Sequence, residues 1–141
     1  VKPEYIIIHH SLTKDTETVS WGAIRKYHTQ TLGWREIGYH YGIENVNGYY
    51  EILVGRQADA TGAHCSQEGM NHKSLGVCLI GNFDNAAPSA DQLARLTALV
   101  KSLMYIHNIP VSKIMRHSQL ATYKTCPGLK FPWQDFIAGL Q

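Results

Sequence analysis

The chain has 141 residues, 44% of them hydrophobic and 17% charged, enough for one packed core and too few for two ordinary domains. Thirteen Lys and Arg against eleven Asp and Glu give a formal net charge of +2, too mild for the concentrated basic stripe of a nucleic-acid binder. No apolar run approaches the roughly 18 residues that cross a bilayer, and Val1-Lys2-Pro3-Glu4 has no basic-then-apolar signal layout. A single domain over residues 1–141, monomeric, without nucleic acid and without membrane insertion, is the expectation.

Tyr5 to Ile8 is a β-favouring apolar run that predicts a buried strand ending at His9-His10-Ser11. Thr18 to Gln30 carries Trp21, Ile24, Tyr27 and His28 at helical spacing, with Gly33 as the stop. Tyr39 to Ile43 and Tyr49 to Val54 flank Asn47-Gly48, whose readiness for positive φ predicts a hairpin. Arg56 to Gln67 has no sustained period and reads as loop. Leu75 to Ile80 predicts a second buried strand. Ser89 and Gln92 fit a capping box that opens a helix with Leu93, Leu96, Val100, Leu103 and His107 on one face, closed by Asn108 and Pro110. Ile114-Met115 is a short strand leading to Arg116-His117. Gln119 to Gly128 is loop, and Phe131 to Leu140 a terminal helix. Interleaved strands and helices make this an α/β fold with a central mixed β-sheet flanked by helices.

Cys65, Cys78 and Cys126 are an odd number, so they do not all pair. The chain lacks His-Glu-x-x-His, Cys-x-x-Cys, Gly-x-Ser-x-Gly and the phosphate-loop signature. What remains are eight histidines, some at strand ends, where α/β sheets usually place function. His9 and His117 each follow an apolar strand, and Cys126 lies nine positions beyond His117. Two imidazoles and a thiolate suit zinc with a fourth position open to water; unrelated polar residues at strand ends are the alternative, and spacing alone leaves both open. Copper also accepts two His and a Cys but wants a weak axial Met and another ligand order.

Ile6-Ile7-Ile8-His9-His10-Ser11 and Gly33-Trp34-Arg35-Glu36-Ile37-Gly38-Tyr39-His40-Tyr41 resemble the type 2 N-acetylmuramoyl-L-alanine amidases, which include phage lysozyme-type enzymes and the peptidoglycan recognition proteins. The resemblance continues through Gly62-Ala63-His64, Asn71-His72-Lys73-Ser74-Leu75-Gly76-Val77, Ile80-Gly81-Asn82 and Lys124-Thr125-Cys126-Pro127-Gly128. Each fragment is weak alone; the ordered set is specific.

That resemblance implies the amidase fold, a Zn2+ cofactor held by His9, His117 and Cys126, and a peptidoglycan muropeptide as substrate. It places Tyr39 at the metal site, as base or hydrogen-bond partner, and Lys124 as donor to the oxyanion. His64 and Trp34 are the candidate substrate contacts. His10 is expected on the opposite strand face, packed or hydrogen-bonded, and His40 in the packed hairpin. His28, His72 and His107 read as surface, loop or helix-flank residues, and Cys65 and Cys78 as free thiols. Arg116-His117-Ser118-Gln119 departs from the family's Gly-His-Arg-Asp, the interval from His117 to Cys126 is one residue longer than common, and Tyr27-His28 replaces a Trp-His pair. None of these removes a ligand. The implied activity is cleavage of the amide between N-acetylmuramic acid and L-alanine at the bacterial cell wall, as in an endolysin. Family members that only bind peptidoglycan generally lack the cysteine, which this chain keeps.

Overall fold

The computed structural model describes residues 2–12 and 20–141. Its strands are β1 (Tyr5–His10), β2 (Tyr41–Val46), β3 (Tyr49–Val54), β4 (Ser74–Leu79) and β5 (Ile114–Arg116), ordered β3-β2-β4-β1-β5 in one sheet. β4 is the central strand, and β1 beside it is parallel to β4 on one side and to β5 on the other. β2 runs parallel to β4, and only β3 is antiparallel, folded back on β2 through Asn47 (φ 53) and Gly48 (φ 88). The mixed sheet and the hairpin agree with the sequence reading. β1 extends two residues beyond the apolar run, so His9 and His10 are strand residues.

Alternation along β1 and β4 sorts their side chains to two faces. Ile6, Ile8, Leu75, Val77 and Leu79 point toward α2 (Ala90–His107) and α4 (Trp133–Leu140), where Leu96, Val100, Leu103 and Phe136 complete the main core. Ile7, His9 and Cys78 face the other way, into two smaller apolar groups and a polar layer.

Two local expectations change. Ser89 Oγ does accept from the Gln92 backbone N–H, at 3.1 Å, but the Gln92 side chain does not turn back to complete a capping box. It is buried and donates to the carbonyls of Ile43 and Ile80, both at 3.3 Å, where strand-end oxygens inside the core need a donor. The first helix, α1, covers only Trp21–Lys26, with Ser20 as its cap, and continues as a π-turn over Tyr27–Thr31 closed by the Leu32 N–H on the Tyr27 carbonyl at 3.0 Å. Thr18 and Val19, where the helix was expected to begin, lie outside the described residues. A single helical turn, α3 (His117–Leu120), occupies the start of the segment read as loop.

Candidate metal centre

Hydrogen-bonded pairing between β1 and β5 ends at Ile8 and Arg116. The next residues, His9 and His117, therefore leave adjacent parallel strands side by side, with ring centroids 4.4 Å apart. The loop after α3 brings Cys126 against them: its Sγ is 3.7 Å from His9 Nδ1 and accepts the His10 backbone N–H at 3.3 Å. One donor atom from each of His9, His117 and Cys126 lies within 4.8 Å of the others, and all three residues are buried. The structure thus brings together the three residues singled out as ligands.

Hydrogen-bond bookkeeping fixes which lone pair His9 offers. Ser74 Oγ donates its single proton to the Met70 carbonyl at 2.6 Å, so toward His64 Nε2, 3.3 Å away, it can only accept. His64 then carries its proton on Nε2 and accepts on Nδ1 from His9 Nε2–H, at 2.9 Å. That leaves His9 Nδ1 unprotonated and aimed at Cys126 and His117, the arrangement by which an outer hydrogen bond sets a ligating tautomer. The His64 ring needs a slot, and Gly76 on β4 provides it: a β-carbon there would stand 2.5 Å from the ring.

The donor set fits a tetrahedral dication. Zinc bonds of about 2.0–2.1 Å to nitrogen and about 2.3 Å to sulfur put tetrahedral N and S donors about 3.6 Å apart, close to the 3.7 Å seen. Burial, with the charge of Lys124 beside it, lowers His117 to about 4. Burial and the neighbouring imidazoles push His9 well below its usual range, and His64 falls to about 3 mainly through burial. All three rings are neutral at pH 7 and free to ligate or relay. Burial pushes the Cys126 thiol up to about 12, so the protein alone does not ionise it; a bound dication would, as metals do for coordinating thiols.

The cluster floors a groove of about 570 Å³ lined by His9, Leu12, His28, Tyr39, His117 and Lys124. Lys124 is exposed at its rim. The Tyr39 ring lies 5.2 Å from that of His9 and packs against the small apolar group that contains Cys78. Burial raises the Tyr39 phenol well above its ordinary value, so it remains protonated and able to donate a hydrogen bond. His64 and Trp34 line an adjoining lobe of about 270 Å³ with Gln67, Asn71, Tyr123 and Lys124. A larger groove, about 730 Å³ and lined by Arg35, Glu36, Arg56 and Thr61, holds none of the donors.

His10 points to the opposite face, where its Nδ1 accepts the Phe83 N–H at 3.1 Å. His40 is buried, accepting from Gly76 N–H, and Cys65 and Cys78 are free thiols. His28 corrects the sequence reading: it is a groove residue, not a surface one. The π-turn adds a residue to the helical repeat, leaving Tyr27 half exposed while His28 Nδ1 accepts the Gly38 N–H at 3.0 Å and its ring meets Tyr39 and Trp34. The Trp-His position noted in the resemblance was the available signal.

A mixed α/β sheet with one histidine on a strand, a second just past the end of the neighbouring parallel strand and a cysteine from a following loop, all at the base of an open groove, is a donor set of the kind that metal-dependent hydrolases use. The model of the N-acetylmuramoyl-L-alanine amidase family matches residues 1–129, and the chain belongs to that family. It is 34% identical over 138 residues to the endolysin of Escherichia phage T7, covering 92% of this chain and 84% of the relative. Among solved structures, the N-acetylmuramoyl-L-alanine amidase LysC from Clostridium intestinale superposes with a TM-score of 0.84 at 31% identity, over 99% of this chain and 85% of that one. A tyrosine-to-phenylalanine mutant of Drosophila PGRP-LB in complex with tracheal cytotoxin superposes with a TM-score of 0.78 at 27% identity, covering 95% and 80% of the two chains.

Proposed function

We propose that this peptidoglycan amidase is zinc-dependent and cuts the amide between the lactyl group of N-acetylmuramic acid and L-alanine, with residues 1–141 acting as one catalytic domain. The observation that carries the reading is the buried His9–His117–Cys126 donor set at the base of a groove rimmed by Lys124. When bound there, zinc supplies Lewis-acid activation of water and of the scissile carbonyl.

The chain's own residues do the rest. His64, through His9 Nε2–H, holds the His9 ring so that Nδ1 stays a ligand atom. Lys124 Nζ donates to the carbonyl oxygen as negative charge builds on it, an interaction that strengthens only toward the transition state. Tyr39, kept neutral by burial, presents its hydroxyl beside the reacting centre. His28, with Nδ1 occupied by Gly38 N–H, carries its proton on Nε2 and presents a donor to the substrate. The PGRP-LB complex with tracheal cytotoxin supports a muropeptide as the occupant of the groove, and Trp34 and His64 extend the contact into the second lobe. A module that merely binds peptidoglycan has no use for a buried thiol between two imidazoles.

Digestion of purified peptidoglycan, with mass analysis of the new ends, tests this. Free L-alanine amino termini on intact glycan strands are expected, with activity lost to a strong chelator and restored by zinc. New reducing sugar ends, or full activity in metal-free protein, would overturn it.

A further inference from the structure

His9 stands on β1 and His117 directly follows β5, but the sulfur sits in a loop that something must hold. The carboxylate of Asp84, on the turn after β4, does so with both oxygens. Oδ2 accepts from Thr125 Oγ1 at 2.9 Å, and Oδ1 accepts the Leu129 backbone N–H at 2.8 Å. These two anchors bracket Cys126 on either side. The neighbouring residue reinforces them: the Lys130 N–H donates to the Phe83 carbonyl at 2.7 Å. Gly128, at φ +124, lies so near the Phe83 backbone that a β-carbon would stand 2.4 Å from it, so only glycine fits both the angle and the space.

The same turn is tied to β1. Phe83 N–H donates to His10 Nδ1, while the His10 backbone N–H donates to Cys126 Sγ. A closed circuit therefore runs from the strand that carries His9, through the 83–84 turn, to the loop, and back through the sulfur. Asp84 is the charged link in it, and hydrogen bonds to an ionised acceptor are about twice as strong as neutral ones.

We infer that Asp84 is a positioning residue that sets the Cys126 sulfur against the two histidines and so fixes metal affinity, an inference that rests on the reading of Cys126 as a zinc ligand. Partners of this outer kind typically govern metal affinity by about 10–100-fold. Asp84→Ala should weaken zinc binding by about that factor in competition with a chromogenic chelator, and Thr125→Val, which removes one anchor, by less. The cobalt-loaded Asp84→Ala protein should show a weakened sulfur-to-cobalt absorption band, which a purely structural staple would leave alone. Asp84→Asn keeps the size and one acceptor oxygen, and serves should the alanine variant not fold. Unchanged zinc affinity and an unchanged cobalt spectrum in the folded variant would overturn the inference, even if its melting temperature falls. Cys126→Ser, measured alongside, separates the two levels. Weakening in Cys126→Ser alone defeats the role of Asp84, whereas parental affinity in Cys126→Ser defeats the zinc reading itself.

Discussion

The two faces of the central sheet are built from alternate residues of the same strands, yet they answer to different physics. Toward α2 and α4, Ile6, Ile8, Leu75, Val77 and Leu79 meet other apolar side chains, and Gln92 is buried among them as an anchor for two carbonyls. On the other face, His9, His64 and Cys78 are also buried, but each is bound to a particular polar partner, and Tyr39 packs beside them. Stability is spread over many contacts on the first face; reactivity is concentrated in a few atoms on the second. His9 and His10, neighbours in sequence, fall on opposite sides of this divide.

Substitutions on the two faces should therefore separate folding from turnover. The largest expected effect is on the polar face: Cys126→Ser should lose nearly all peptidoglycan digestion and most zinc, while circular dichroism of the metal-free protein stays that of the parent. Next comes Lys124→Ala, which should keep its zinc while kcat falls about 10²–10³-fold, the usual cost of one oxyanion donor. Tyr39→Phe, measured in the same way, should keep zinc and reduce kcat through loss of the hydroxyl alone. Leu96→Ala, on the apolar face, should do the reverse. At 0% exposure, its truncation should cost about 2–5 kcal/mol in denaturant unfolding, with kcat per folded molecule unchanged.

A last effect should be one of pH on the metal-free chain. His117 and His64 are held at about 4 and about 3, against an ordinary 6.5, so the unfolded chain binds more protons below pH 6.5 than the folded one. The stability of the neutral rings is fully present above pH 6.5 and is lost as pH falls toward 4 and 3. The denaturation midpoint of chelated protein should drop across that window, and His64→Gln should flatten the drop. An equal drop in the variant would place the titrating groups elsewhere.

Much of the apolar face was legible in the sequence, because it depends on local signals. The isoleucine run gave β1, Asn47-Gly48 gave the hairpin, and Ser89 gave the start of α2. The donors of the polar face were legible as residues at strand ends, and the family resemblance grouped them. Their meeting was not legible from spacing, because it requires β5 to dock on β1. His28 was misread because a π-turn is a change of register that leaves no separate mark in the pattern of Trp21, Ile24, Tyr27 and His28. The chain from Ser74 through His64 to His9 depends on the slot over Gly76, and a glycine in a strand announces a close approach without saying whose. Gln92 looked like a helix cap because its spacing from Ser89 is right; only the buried carbonyls of Ile43 and Ile80 explain why it turns inward.

The parallel pairing of β1 with β5 also has a consequence in time. Cys126 and His9, in contact across the site, are 117 positions apart in the chain, and contacts of that span form late because the intervening chain must first be ordered. On the ribosome, a nascent chain that has not yet emitted Cys126 holds no complete donor set, however well its earlier strands have paired. On the proposed zinc reading, the enzyme is thus inert through most of its own synthesis, and a fragment that ends before that residue should digest no peptidoglycan.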